Sequence, residues 1–258
     1  MAWASSQKLG LKGVASLFHC SPAPQCSPGA SLFKCSPLLV NSANMPTPKV
    51  WNSEADLVAD LRHDGAVRVL EAISSEIDWQ TTIRCAVAAN TFRAFRNLPN
   101  RPSQVFRGWA LDALVTRGYF ERLKNVRTQN DYDMWLLDLV KDLRKCWKRR
   151  MKSSMPFGPS YKLPNLLMKC VCRRLSPSQR KRVAKFLHVA LDSYTLVGIR
   201  NLVKLPDGRV ISKTASMGSI KSEREYRVVQ EGIRKLAKSA GVPPITYDYL
   251  AWNVSHQL

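Results

Sequence analysis

The sequence predicts an all-α domain behind a disordered N-terminal segment, and three observations carry that prediction. From Ser53 onward, apolar residues recur at the i, i+3, i+4 spacing of helices that bury one face. Capping residues precede these runs, and glycines or prolines follow them. No stretch alternates apolar and polar residues consistently enough to form a strand. Residues 1–48 are assigned to the disordered, low-complexity segment and residues 49–258 to one helical domain, with the functional region expected at 155–200.

The first 48 residues contain no acid and many Ser and Pro, with a short repeat of Ser16-Leu-Phe-His-Cys-Ser-Pro22 as Ser31-Leu-Phe-Lys-Cys-Ser-Pro37. Prolines at this density prevent both helices and central strands. No continuous apolar core follows a basic start, so a secretory signal is not expected, and the lack of arginine argues against a transit peptide. Met45 offers an alternative start of translation.

The helices follow in order. Asn52 or Ser53 caps the first, with Glu54 and Asp56 in its first turn and Leu57, Val58 and Leu61 on its inner face. After Asp64-Gly65, residues Val67, Val69, Leu70 and Ile73 repeat the pattern. Asp78 caps a helix whose apolar positions include Ile83, Val87, Phe92 and Phe95, and Leu98-Pro-Asn-Arg-Pro102 breaks it. Ser103 opens a stretch with Phe106, Trp109 and Leu114 that ends near Gly118. Asn130 and Asp131 precede Met134, Trp135, Leu139, Val140 and Leu143. A small hairpin turn is expected at Asp207-Gly208. Ser222 caps a helix with Tyr226, Val229, Ile233, Leu236 and Ala237 inside, closed by Gly241 and Pro243-Pro244, and residues 245–252 form a last short helix.

Charge narrows the partner. The formal net charge is +21, far beyond what solubility requires, so a polyanion is expected. Between Asp142 and Asp192 lie fourteen Lys and Arg residues and no acid. Six of them, Arg144, Lys145, Lys148, Arg149, Arg150 and Lys152, fall in the nine positions 144–152. A helix C-terminus favours a few cations on dipole grounds, but not six. Trp147 among them is either a stacking aromatic or a ring packed along a solvated face. No apolar run approaches the roughly 20 residues of a membrane span. The seven cysteines show no disulfide pattern, and Cys170-Val-Cys172 lacks the second pair a zinc site needs, so no metal is expected.

One constellation could do chemistry. Gly158, in a Pro-flanked turn before a helix, leaves backbone N–H groups for an anion. Lys162 sits near that helix start among other cations, where an amine can become nucleophilic. Asp192 ends the apolar run 186–191, isolated from other acids, and could stabilise a developing cation or take a proton. Each has an ordinary alternative: Asp192 as a helix N-cap, and Lys162 as a solvated lysine.

Gly158…Lys162-Leu-Pro-Asn-Leu-Leu-Met, followed by Val189-Ala-Leu-Asp192-Ser-Tyr-Thr-Leu-Val-Gly-Ile-Arg, resembles the helix-hairpin-helix DNA glycosylase superfamily. The spacing between lysine and aspartate is similar to that of the archaeal-type 8-oxoguanine glycosylases. The resemblance implies a glycosylase-like helical bundle that flips a nucleotide from duplex DNA. Lys162 would attack C1′ to give a Schiff base, and Asp192 would stabilise the sugar cation. DNA would be held by Gly158, Ser160, Lys148, Arg149, Arg150, Lys169, Arg173 and Arg174, and Tyr161, Trp109 and Trp252 would line the base pocket. The substrate would be oxidised guanine or, as in phage-defence glycosylases, glucosylated hydroxymethylcytosine. The enzyme would be a monomer without metal or cofactor, cytoplasmic and nucleoid-associated. The competing expectations are a non-catalytic basic DNA- or RNA-binding protein, a ribosome-associated factor, and a nuclease. For a nuclease, acidic clusters able to hold Mg²⁺ are scarce.

Overall fold

Serine, threonine and aspartate caps set most of the helix starts. The computed structural model describes residues 46–63 and 77–256. The expectations for the N-terminal segment, its repeat, Cys20, Cys26 and Cys35, and the helix over 67–73 lie outside the described residues. Helix α1 (Glu54–Arg62) begins at Ser53, whose hydroxyl accepts from the Asp56 amide. Helix α2 (Trp79–Ala86) begins at Asp78, which accepts from Thr81 N–H at 2.6 Å. It stops at Ala86, and Phe92 and Phe95 belong to a separate 3₁₀ segment, Ala89–Phe95. Helix α3 (Pro102–Leu111) has proline in its first turn and runs into a π-helical turn at Asp112–Thr116.

Helix α4 (Tyr119–Lys124) leads to α5 (Gln129–Met151), the longest among the described residues, which starts with a reciprocal capping box between Thr128 and Asp131. Then come α6 (Phe157–Val171), α7 (Pro177–Ala184) and α8 (Ser193–Gly198). Helix α9 (Glu223–Ala240) starts at Ser222 and ends at Gly241 with φ 76°, the left-handed conformation glycine tolerates best. Helix α10 (Ile245–His256) closes the fold. The class is all-α: among the described residues there is no strand, only an isolated bridge between Lys204 and Val210 around the turn at Asp207 and Gly208.

A single buried apolar cluster joins these helices, with α1 on α9, α2 on α3 and α6, α5 on α3 and α6, and α8 on α10. Glycine permits two of the closest approaches. A Cβ on Gly198 would lie 2.5 Å from the Tyr247 hydroxyl and 2.7 Å from the Trp51 ring. One on Gly158 would lie 1.7 Å from the Met217 carbonyl oxygen.

Between α7 and α8 a segment without regular secondary structure, residues 187–192, passes through the interior, where its backbone polar groups cannot reach water. Side chains meet them instead. Val189 N–H donates to Gln230 Oε1 at 2.9 Å, and Gln230 Nε2 donates back to the Val189 carbonyl at 2.8 Å. Asn165 donates to the same carbonyl and to Tyr226 Oη. The Tyr226 hydroxyl also lies 2.9 Å from His188 Nδ1. His188 Nε2 lies 2.9 Å from Asp133 Oδ1.

Burial holds the His188 pKa below its ordinary value, with Arg234 and Arg227 acting in the same direction and Asp133 opposing them. The unfolded imidazole then takes a proton at a pH where the folded one does not, so stability falls as pH drops below about 6.5. The urea midpoint is expected to decrease between about pH 7 and pH 5, above the range where carboxylates dominate, and His188→Gln should flatten that slope. Equal slopes in both proteins would refute the assignment.

Candidate nucleic-acid interface and a half-buried lysine–aspartate pair

The basic end of α5 is built on its apolar stripe. Leu136, Leu139, Val140, Leu143 and Trp147 are buried, and Lys141, Lys145, Lys148, Arg149 and Arg150 are exposed. Trp147 lies four residues beyond Leu143 and so falls on the inner face. It is completely buried, edge-on to Phe95 with ring centroids 5.0 Å apart. It neither stacks on a ligand nor packs along the solvated face, which corrects both sequence expectations.

That aromatic contact ties the 3₁₀ segment to α5, and Asn100 Nδ2 donates to the Arg150 carbonyl as a second tie. The segment joined in this way to the end of α5 carries three further exposed arginines absent from the sequence reading, Arg93, Arg96 and Arg101. Neither these three nor Lys148, Arg149 and Arg150 have an ion-pair partner among the described residues. A signal was present: Arg93 and Arg96 are three residues apart, out of phase with the buried Phe92 and Phe95.

Two clefts flank the contact. One, of about 660 Å³, is lined by Gln104, Trp109, Lys145, Arg149 and Arg150, and also by Asp112 and Asp142, both paired with Arg117. The other, of about 400 Å³, is lined by Arg93, Arg96, Asn100 and Arg101. Trp109 is buried, and its N–H donates to Asp142 Oδ2 at 2.6 Å, so it forms a wall of the first cleft and not a ring open for stacking.

The second constellation lies elsewhere. The segment expected to present a phosphate-binding hairpin forms the first turn of α6. Gly158 and Ser160 are buried, Gly158 beneath the Met217–Ser219 turn and Ser160 donating to the Phe157 carbonyl at 2.6 Å. A DNA phosphate cannot be held there, and both assignments are corrected.

Lys162 and Asp192 do meet. Lys162 Nζ lies 3.3 Å from Asp192 Oδ2, with the side chains 15% and 16% exposed. The charge nearest the amine is therefore a carboxylate, not the neighbouring cations expected from sequence. Asp192 divides its oxygens: Oδ2 faces Lys162, and Oδ1 accepts from the Tyr194 and Thr195 amides at 3.0 and 3.2 Å. It is thus the N-cap of α8 and an ion-pair partner at once.

Lys169, two turns after Lys162 on α6, bonds to Asp248 at 2.5 Å and lies 3.7 Å from the centroid of the Tyr249 ring. Burial raises the Asp248 pKa, and the nearby Asp192 charge adds to the rise while Lys169 opposes it. Burial works against the Lys169 ammonium, but Asp248 prevails and raises its pKa. Lys169 is therefore engaged inside the fold and not free for DNA. The same holds for Arg174, which donates to the Ile77 carbonyl and Thr82 and sits 4.4 Å from the Trp79 ring centroid. Arg173 is half-buried, its carbonyl taken by Arg180.

Of the three expected base-pocket aromatics, Tyr161 packs in the core, 4.2 Å from Tyr226 and 4.9 Å from Phe157, and burial pushes its pKa up to about 12. Trp252 is 41% exposed and edge-on to Tyr194 at 5.0 Å, two residues from Asp192. Tyr161 adjoins Lys162 in the chain, but its ring packs on Phe157 and Tyr226. Among the described residues no three His, Cys, Asp or Glu side chains converge as metal ligands, and burial pushes the Cys172 thiol up to about 12. No helix among them is long and apolar enough to cross a membrane.

Comparison with protein families, curated proteins and solved structures finds no match for this chain.

The two roles of Asp192 separate by substitution. Asp192→Asn keeps a capping oxygen, so it should retain about 1 kcal/mol of stability that Asp192→Ala loses, as measured by urea unfolding. Identical losses would mean that the cap contributes nothing.

Proposed function

We propose that this protein binds nucleic acid through the phosphate backbone, using the face formed by the end of α5 and the 93–101 segment. One observation carries this reading: six exposed cations without ion-pair partners among the described residues stand on a rigid aromatic contact. A solvated surface can carry such charges, but isolated surface cations normally occur interspersed with acids. Here residues 143–191 contain none. Phosphate neutralisation releases counterions, so affinity should fall steeply with salt. In fluorescence anisotropy between about 50 and 200 mM salt, Arg149→Ala/Arg150→Ala should weaken binding to all sequences alike. It should also lower the log–log salt slope by about two. Unchanged slope and affinity would exclude this face.

The 3.3 Å separation of Lys162 and Asp192 supports a second reading, base excision from duplex DNA carrying an oxidised guanine or a modified cytosine. Lys162, once deprotonated, would form a bond to C1′ as the bond from C1′ to the base breaks. The departing base takes the electron pair and a proton, and ring opening of the sugar gives the Schiff base. Asp192 would stabilise the cationic sugar. The burial of Gly158 and Ser160 weighs against this reading, because they were its phosphate contacts. Borohydride trapping on duplexes carrying 8-oxoguanine, uracil, an abasic site or glucosylated hydroxymethylcytosine tests it. An adduct lost in Lys162→Ala and kept in Lys204→Ala supports a lyase. Asp192→Asn, which still caps α8, should stop excision while leaving salt-sensitive binding intact. Neither adduct nor released base from any of the four would eliminate excision of these substrates and leave the binding function standing.

A further inference from the structure

A second cationic cleft, remote in sequence from the end of α5, has a different character. It measures about 690 Å³ and lies between α7 and the C-terminal half of α9. Arg180, Lys181 and Lys185 line one side, and Arg234 and Lys238 the other. The base is apolar, with Ala184, Phe186, Val242, Pro243 and Pro244, and no acid lines it. A cation in the last turn of each helix is expected from the dipole, but Arg180 and Arg234 stand earlier. Those two guanidiniums are held in place: Arg180 Nη1 donates to the Arg173 carbonyl at 3.1 Å, and Arg234 Nη1 pairs with Glu231, which leaves the three lysines as the uncompensated charges of the walls. Lys181, Lys185 and Lys238 are exposed, with no ion-pair partner among the described residues.

We propose that this groove docks an acidic amphipathic helix of a partner protein, apolar side chains on the base and carboxylates against the cations of both walls. Charge complementarity selects the occupant. The chain's own first 48 residues contain no acid and would be repelled. A second copy carries the same +21 charge. Nucleic acid fits the walls but not the base, where two prolines offer no N–H donor and the one aromatic, Phe186, is half-buried. A helix with apolar residues at i, i+3, i+4 and i+7 and acids on its flanks satisfies both.

The test uses the full chain and three fluorescein-labelled probes in anisotropy. These are a synthetic peptide with Leu and Phe at that spacing and Glu elsewhere, its counterpart with Ser for Leu and Phe, and a duplex oligonucleotide. The acidic-apolar peptide should bind saturably, and the serine counterpart about ten-fold more weakly or worse. Lys185→Glu/Lys238→Glu should lose about ten-fold in peptide affinity while keeping duplex affinity. Val242→Glu, a like charge on the apolar base, should give the same loss independently. Absence of saturable binding, equal affinity for the serine peptide, or loss of duplex binding in place of peptide binding would each overturn the proposal. The last outcome would assign the groove to nucleic acid.

Discussion

The paired hydrogen bonds between the Gln230 carboxamide and the Val189 backbone are what the interior depends on. A segment without regular secondary structure buried among helices has no neighbouring strand, and each unmet backbone group there would cost about 1–3 kcal/mol. Gln230 acts as a one-residue strand, offering an acceptor and a donor at peptide-like spacing. Asn165 and Tyr226 extend the same service to His188 and the Val189 carbonyl, so α6 and α9 are held to one segment, and Asp133 joins α5 to it. Removing any one group would orphan others, which makes this network a determinant of the fold's uniqueness as well as its stability.

The same segment delivers Asp192 to Lys162. Its path ends at the start of α8, where two amides fix the carboxylate by one oxygen and leave the other for the ammonium. Beside it, Lys169 and Asp248 form a second pair, so two lysines on one face of α6 meet acids from α8 and α10. Desolvation makes such pairs weak contributors to net stability, yet loss of one partner is costly. The arrangement therefore pins three helices whether or not the pair also acts on a substrate.

Elsewhere the same residue types serve opposite ends. Phe95 and Trp147, both buried, join two separate segments that each carry exposed cations. Trp109 and Tyr161, also buried, are fixed by a carboxylate and by neighbouring rings, with no free face to offer. Around the 690 Å³ groove, cations border an apolar base. A strongly basic chain can thus present surfaces of different character from one pool of charge.

Local chemistry was legible in the sequence. Ser53, Asp78 and Ser222 announced helix starts, Gly241 a stop, and helical spacing the inner faces of α5 and α9, because caps and periodicity act over three or four residues. The end of α2 was misjudged, since the apolar spacing continues through Phe92 and Phe95 while the backbone changes to a 3₁₀ turn. Spacing alone leaves open whether Lys162 and Asp192 meet, and nothing local announces that the Met217–Ser219 turn covers Gly158. Nor does local pattern show which cations are consumed inside: Lys169 and Arg174 look like Lys148 and Arg149 until Asp248, Ile77 and Thr82 arrive from distant parts of the chain. Composition and periodicity by themselves determined a basic, all-helical protein. Tertiary structure alone decided which charges reach solvent, because burial and pairing depend on contacts between residues far apart in sequence.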